Sequence, residues 1–442
     1  MESYNVLKDL SKGFSGLEEH YPNAAAAEPD GKMGAHSLSA AAAEPGGKMG
    51  VHSPNAAVAE PGGKMREHYL DNAATTRVCE EAAAAALDVM LNYYGNPSST
   101  YKLGRDAMEL LKKSREIIAS ALGAKASEIY FTSCGSESDN WAIIRGAELM
   151  SHKGRHVITS TVEHDAVRKS VDILEQKGFE VSRIKPDSTG AVTADMVKAA
   201  LRDDTILVSL MMVNNETGAV TDIAAIGNML KKNAPNALLH TDAVQAFMKL
   251  PFKAKKLGAD MISISGHKIH APKGIGALYI REGLKLKPYI VGGSQEAGMR
   301  AGTENLALIV AMARAAQIAW ESFDENIDKM NGCKAEIIKR LKEKIPGFVC
   351  IDSGAPHILS ISLPGYKSEV IMNFLEERGV YVSKSSACKR GARSHVLEAI
   401  GMKPREIDGA IRIGLSRMTV QEDIDALCDG IVAACNTLPR MP

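Results

Sequence analysis

The chain has 442 residues, 45% of them hydrophobic, enough to bury a large core spread over two or three domains. Its 53 basic and 53 acidic side chains cancel, so no global field draws it to nucleic acid or an acidic membrane, and small molecules or specific proteins are the expected partners. No apolar run approaches the roughly 20 residues needed to span a bilayer, and Met1-Glu2-Ser3-Tyr4 lacks the basic and apolar regions of a secretory signal.

The chain opens on a repeat. A Glu-Pro-x-Gly-Lys-Met phrase recurs at 28–33, 44–49 and 60–65, a constant step of 16 residues. Its Ala, Pro and Gly offer little to bury, so residues 1–64 are expected to be disordered. The third copy runs into Arg66-Glu67-His68-Tyr69-Leu70, which makes Met65 the expected ancestral start.

From about residue 82 to 320, short β-rich runs alternate with helical patterns, which predicts a mostly parallel sheet covered by helices. The expected strands are 129–132, 156–160, 206–211, 238–240, 261–264 and 276–280. The first leads through Ser133-Cys134-Gly135-Ser136 into a helical stretch, leaving free N–H groups at the positive end of a helix dipole. This is an anion site or an ordinary helix cap. The second strand delivers Glu163-His164 to its end, and the third delivers Asn214-Asn215-Glu216. Asp242 and Gln245 follow the fourth.

The fifth strand gives way to Ser265-Gly266-His267-Lys268, so a lysine and an aspartate reach one rim of one sheet. That pair suits pyridoxal phosphate (PLP): a lysine to form a Schiff base, and a carboxylate to keep the pyridine nitrogen protonated. The bland alternative is a solvated lysine beside a buried aspartate. Farther on, 292–303 is a Gly-rich loop ending in Thr303. Beyond it 335–344 and 369–377 read as helices, with 358–362 and 380–383 as strands. Seven cysteines without a Cys-x-x-Cys pair argue against a zinc ribbon or a disulfide framework and suit a reducing cytoplasm, and most read as small core residues. No metal ligand set stands out.

The motifs now in hand resemble those of the cysteine desulfurases, PLP enzymes related to the class V aminotransferases. The resemblance runs from Tyr69 to the C-terminus and rests on Tyr69-Leu70-Asp71-Asn72-Ala73-Ala74, Gly95-Asn96-Pro97-Ser98-Ser99, Glu137-Ser138-Asp139-Asn140, Glu163-His164, Asn214-Asn215-Glu216, Ser265-Gly266-His267-Lys268 and Ala301-Gly302-Thr303-Glu304-Asn305. It implies an α/β, fold-type I PLP-dependent transferase: a large domain at 81–320 with a mixed, mostly parallel seven-stranded sheet, and a smaller α+β domain built from 66–80 plus 321–442. It further implies that Lys268 carries the cofactor, Asp242 pairs with the pyridine nitrogen, Gln245 bonds the ring hydroxyl and His164 stacks on the ring. Gly135, Ser136, Ser265 and His267 would hold the phosphate, with Thr303 supplied by the partner subunit of a homodimer. Asn215 and Arg412 would bind the substrate carboxylate, and Cys388 would be the nucleophile. L-Cysteine would yield alanine and a Cys388 persulfide, destined for an iron–sulfur scaffold or a tRNA thiolation enzyme.

Lys384, Lys389, Arg390 and Arg393 surround Cys388 in sequence and would favour its thiolate over a thiol of ordinary pKa about 8.5. Selenocysteine lyase and a non-catalytic PLP-fold scaffold are the alternative readings. The chain departs from the family pattern at Cys134, Ser136, Tyr101, Ser294, Ala297, Lys384 and Ser385, and the stretch after Cys388 is short.

Overall fold

The computed structural model describes residues 66–351, 354–384 and 393–441. The expectations for 1–64, for Met65 and for Cys388 itself lie outside them.

After β1 (His68–Tyr69), α1 (Glu80–Asn92) and α2 (Lys102–Leu122) precede the main sheet. Its strands are β2 (Ile129–Thr132), β3 (His156–Ser160), β4 (Glu180–Ile184), β5 (Thr205–Met211), β6 (Leu238–Asp242), β7 (Met261–Ser265) and β8 (Gly276–Ile280). They lie in the order β2-β8-β7-β6-β5-β3-β4. Only β8 is antiparallel, to β2 on one side and β7 on the other. The helices interleaved with this sheet are α3 (Gly135–Met150), α4 (Asp165–Gln176), α5 (Ala194–Ala200), α6 (Ile223–Asn233) and α7 (Ala254–Leu257), and α8 (Leu306–Glu321) closes the unit.

Every residue of β3, β5, β6, β7 and β8 is buried, because helices cover both faces of the sheet. Alternation divides the strands between two cores. Ile158, Val208, Leu239 and Ile262 face the layer of α1, α2 and α8, whereas Val157, Leu207, Leu238 and Met261 face α3 and α4. The α8 sequence is apolar nearly all round because α1 and α2 enclose it. Among the described residues no single helix is long and apolar enough to cross a membrane.

A third core gathers under α9 (Phe323–Lys344), β9 (Val349–Ile351), β10 (Ile358–Ser362), α10 (Ser368–Glu376), β11 (Val380–Tyr381), β12 (Ser383–Lys384), α11 (His395–Ala399), α12 (Pro404–Asp408), β13 (Ala410–Gly414) and α13 (Gln421–Thr437). Leu341, Leu375, Ile413 and Ile431 are completely buried there.

Sequence reading missed β4, whose Glu180 and Arg183 are exposed at the sheet edge, where charge guards against further pairing. The run 380–383, expected as one strand, divides between two sheets: β11 pairs with β1 and β12 with β13. The helix expected at 335–344 begins at Phe323, since its first half is too polar to show an apolar stripe. Of the described cysteines, Cys79 and Cys428 are buried in the cores, Cys333 and Cys435 are half-buried against the third core, Cys134 is half-buried and Cys350 is exposed.

Candidate active site

Parallel strands end on one rim, and the chain leaves each of them carrying a polar group. Asp242 is the last residue of β6, and Ser265 the last of β7. A single 3-10 turn, Gly266–Lys268, then carries His267 and Lys268 over the edge. The Lys268 amine donates to the carbonyl oxygens of Ala73, at 2.7 Å, and Ala74. Burial and the nearby Arg412 cation lower its pKa to about 8, against the pull of Asp71 and Asp242. The neutral form, which an amine must adopt to attack carbonyl carbon, is therefore far more populated near physiological pH than in an ordinary lysine. Asp242 is buried, its Oδ1 accepting the Val244 N–H at 2.9 Å, and burial raises its carboxyl above the usual range while His164 and Lys268 oppose the rise.

Beside this pair lies an anion cup. Cys134 is the extended N-cap of α3 and offers no side-chain cap, so the first N–H groups of a 16-residue helix are left for a ligand. Gly135 is needed for close approach: a Cβ there would stand 2.6 Å from Val244 Cγ2 and 3.5 Å from Ser265 Cβ. Ser265 Oγ is buried with no hydrogen-bond partner among the described residues. An orphaned hydroxyl beside a bare helix start is what a phosphate group satisfies, so these residues fit PLP. Ser136 is exposed on the first turn of the same helix. His267 is held neutral, burial and the Lys268 charge lowering its pKa to about 3, and its Nδ1 lies 3.2 Å from Thr75 Oγ1.

His164 sits on the same rim as the N-cap of α4, its Nδ1 accepting the Ala166 N–H at 3.2 Å. That contact places its proton on Nε2. Gln245 is buried and donates from Nε2 to the Ala73 oxygen at 2.8 Å. Arg412, in the middle of β13, reaches across from the third core: Nη1 donates to the Asn215 oxygen at 2.8 Å, and Nη2 to Asp71 Oδ1 at 2.9 Å and Ser383 Oγ at 2.8 Å. Its Nε is buried without a partner among the described residues. Thr303 is exposed in the loop before α8 and makes no hydrogen bond to this site among the described residues.

Of the four cations expected to favour the Cys388 thiolate, Lys384 and Arg393 are among the described residues. Lys384 is paired with Glu369 at 2.5 Å, and Arg393 with Asp408 at 2.8 Å, so each already faces a carboxylate. Lys389 and Arg390 lie outside the described residues.

Several site residues escaped sequence reasoning as individual contributors. Asp71 and the Ala73 carbonyl come from the turn after β1 and complete the Arg412 and Lys268 contacts. Glu216 is buried, its pKa raised by burial to about 7, and accepts from Ser394 Oγ, the N-cap of α11. The motifs containing Asp71 and Glu216 were visible, but their partners lie 341 and 178 residues away.

The family model for aminotransferase class-V matches residues 68–427. The chain is 40% identical over 380 residues to the cysteine desulfurase IscS of Methanosarcina thermophila, covering 84% of this chain and 93% of that protein. It is 41% identical over 366 residues to a cysteine desulfurase of Nostoc sp., covering 82% and 91%. Among solved structures, a NifS-like protein superposes with a TM-score of 0.80 at 37% identity, covering 84% of this chain and 100% of that one. SspA in complex with cysteine superposes with a TM-score of 0.70 at 34% identity, covering 80% and 100%.

Proposed function

The chain belongs to the cysteine desulfurases of the class-V aminotransferase family, and from that premise we propose that it moves sulfur from L-cysteine to Cys388 at the rim described above. The observation that carries the reading is the convergence on one rim of a buried amine of lowered pKa, a buried carboxylate and an orphaned serine hydroxyl at a bare helix start. Bound PLP supplies an electron sink beside the substrate Cα. Lys268 would carry it, Asp242 and Gln245 would orient its ring, His164 would stack on it, and Gly135, Ser136, Ser265 and His267 would hold its phosphate. The large unit, 81–320, provides these groups; the small one, 66–80 with 321–442, brings Arg412 and Cys388.

The substrate carboxylate would bind Arg412 and Asn215, sharing the guanidinium with Asp71. Lys268, neutral at its shifted pKa, takes the Cα proton. The Cys388 thiolate then attacks the substrate sulfur: an S–S bond forms as the Cβ–S bond breaks, and the electron pair of the broken bond stays with the carbon fragment. Proton return through Lys268 and His164 releases alanine and leaves a Cys388 persulfide. Its acceptor would be an iron–sulfur scaffold or a tRNA thiolation partner, in a reducing cytoplasm. A homodimer completed by Thr303 is supported by the apolar side chains that α1 and the start of α2 expose, among them Leu87, Met90, Leu91, Tyr94 and Tyr101.

The test is direct. Purified protein given L-cysteine and a thiol reductant should release alanine and sulfide in equal amounts, and Cys388→Ala should keep the cofactor absorbance and lose sulfide release. Undiminished sulfide from that variant would remove Cys388 from the reaction.

A further inference from the structure

Behind Gln245 lies a buried basic pair for which the reaction above has no use. Lys249 is 7% exposed and His357 fully buried, and both converge on the Gln245 amide oxygen, Lys249 Nζ at 3.5 Å and His357 Nε2 at 3.2 Å. On its other side Gln245 meets the Ala73 carbonyl at 2.8 Å. A carbonyl only accepts, so the amide nitrogen must face Ala73 and the amide oxygen must face the basic pair. The same Ala73 oxygen accepts from Lys268 at 2.7 Å. One carbonyl thus joins Lys268 to Gln245, and Gln245 to Lys249 and His357.

Neither basic residue is comfortable where it lies. Burial, with the Lys268 charge added, holds the Lys249 amine well below its ordinary range, and its hydrogen bond to Gln245 is long. His357 is pushed down by burial and then by Lys249, and its Nδ1 has no partner among the described residues. Methionine at 249 or leucine at 357 would each remove a buried basic group while the other residue still donates to the Gln245 oxygen. Burial therefore disfavours the pair, whereas its effect on Gln245 accounts for it.

We propose that Lys249 and His357 are positioning residues that lock Gln245 with its N–H edge toward Lys268 and strengthen that edge as a donor to the ring hydroxyl of bound PLP. The inference rests on the assignment of Gln245 to the cofactor ring. Two donors on an amide oxygen draw electron density from the N–H side, so the outward hydrogen bond strengthens. A stronger donor favours the unprotonated ring oxygen and lowers the pH at which the bound cofactor titrates. The other charged or titratable groups facing the pair are His267 and Lys268 after β7, His270 beyond them, Lys334 on α9 and Arg412 on β13, and all remain in the variants below.

The measurement is a pH titration of the visible absorbance of the PLP-loaded protein. Lys249→Met and His357→Leu should each raise the midpoint by about half to one pH unit, roughly a 3- to 10-fold change in the acid constant. His357→Gln, whose amide nitrogen stands where Nε2 did and can still donate to Gln245, should stay within about 0.2 unit of the parent. Melting temperatures of the cofactor-free variants, expected at or above the parent value, show that folding is intact. Midpoints unchanged in both Lys249→Met and His357→Leu, while Gln245→Ala shifts its own, would overturn the role of the pair and leave Gln245 in place. An unmoved midpoint in Gln245→Ala would overturn both, and locate the fault in the assignment of Gln245.

Discussion

Lys268 owes its lowered pKa of about 8 to burial first and to Arg412 second, and both causes are built into the apo chain. Only the neutral amine attacks an aldehyde, so cofactor uptake by the apo-protein should accelerate as pH rises through about 8 and level off above 9. Stopped-flow absorbance with PLP in excess checks this; a rate still climbing in proportion to hydroxide at pH 10 would mean an ordinary lysine. At this scale the sequence was readable wherever a functional residue ends an apolar run, as Asp242 and Lys268 do. Contacts between distant segments were not. Nothing local tells that Asp71 sits on Arg412, 341 positions away, or that His357 backs Gln245 across 112. That Glu369 neighbours Lys384, and Asp408 neighbours Arg393, is equally invisible in the sequence.

The start of α3 shows how an element, not a side chain, makes the phosphate cup: β2 aims the chain at the rim, and the uncapped helix begins there. Gly135 keeps the cup open, because a Cβ would meet Val244 Cγ2 at 2.6 Å, and Val244 is the residue whose N–H holds Asp242. Gly135→Ala should therefore speed PLP loss, by about 10-fold if roughly 1.4 kcal/mol of contact is strained. Adding Val244→Ala, which removes the obstructing methyl, should restore retention. Dissociation rates into excess scavenger protein measure it, and equal rates in the single and double variants would contradict the steric argument. In the sequence, the strand–turn–helix pattern marked this helix start as an anion site or an ordinary cap. Edge strand β4 stayed hidden because its exposed face carries charge in place of the apolar signal that marks the buried strands.

Across the whole molecule, buried carboxylates tie strand to strand within the sheet and tie a loop at its rim to the start of α11. Glu163 bridges β3 and β5, taking Ser160 Oγ at 2.5 Å and the Met211 N–H at 2.9 Å, and Glu216 joins its loop to Ser394. Burial lifts Glu163 from its ordinary 4.5 to about 8. Between those values the folded protein keeps a proton that the unfolded chain releases, so this residue makes stability fall as pH rises. The loss is at most about 1.4 kcal/mol per pH unit, and it ends once the folded carboxyl also ionises. Glutamine fits the same partners without a titrating proton: its oxygen accepts from Met211 and its amide donates to Ser160 Oγ. The stability of Glu163→Gln relative to the parent should therefore grow steadily from pH 5 to pH 8 and then hold constant. Urea unfolding of both cofactor-free proteins at pH 5, 6.5, 8 and 9 would show it, and a gap that does not change with pH would mean that Glu163 ionises in the folded state as readily as in water.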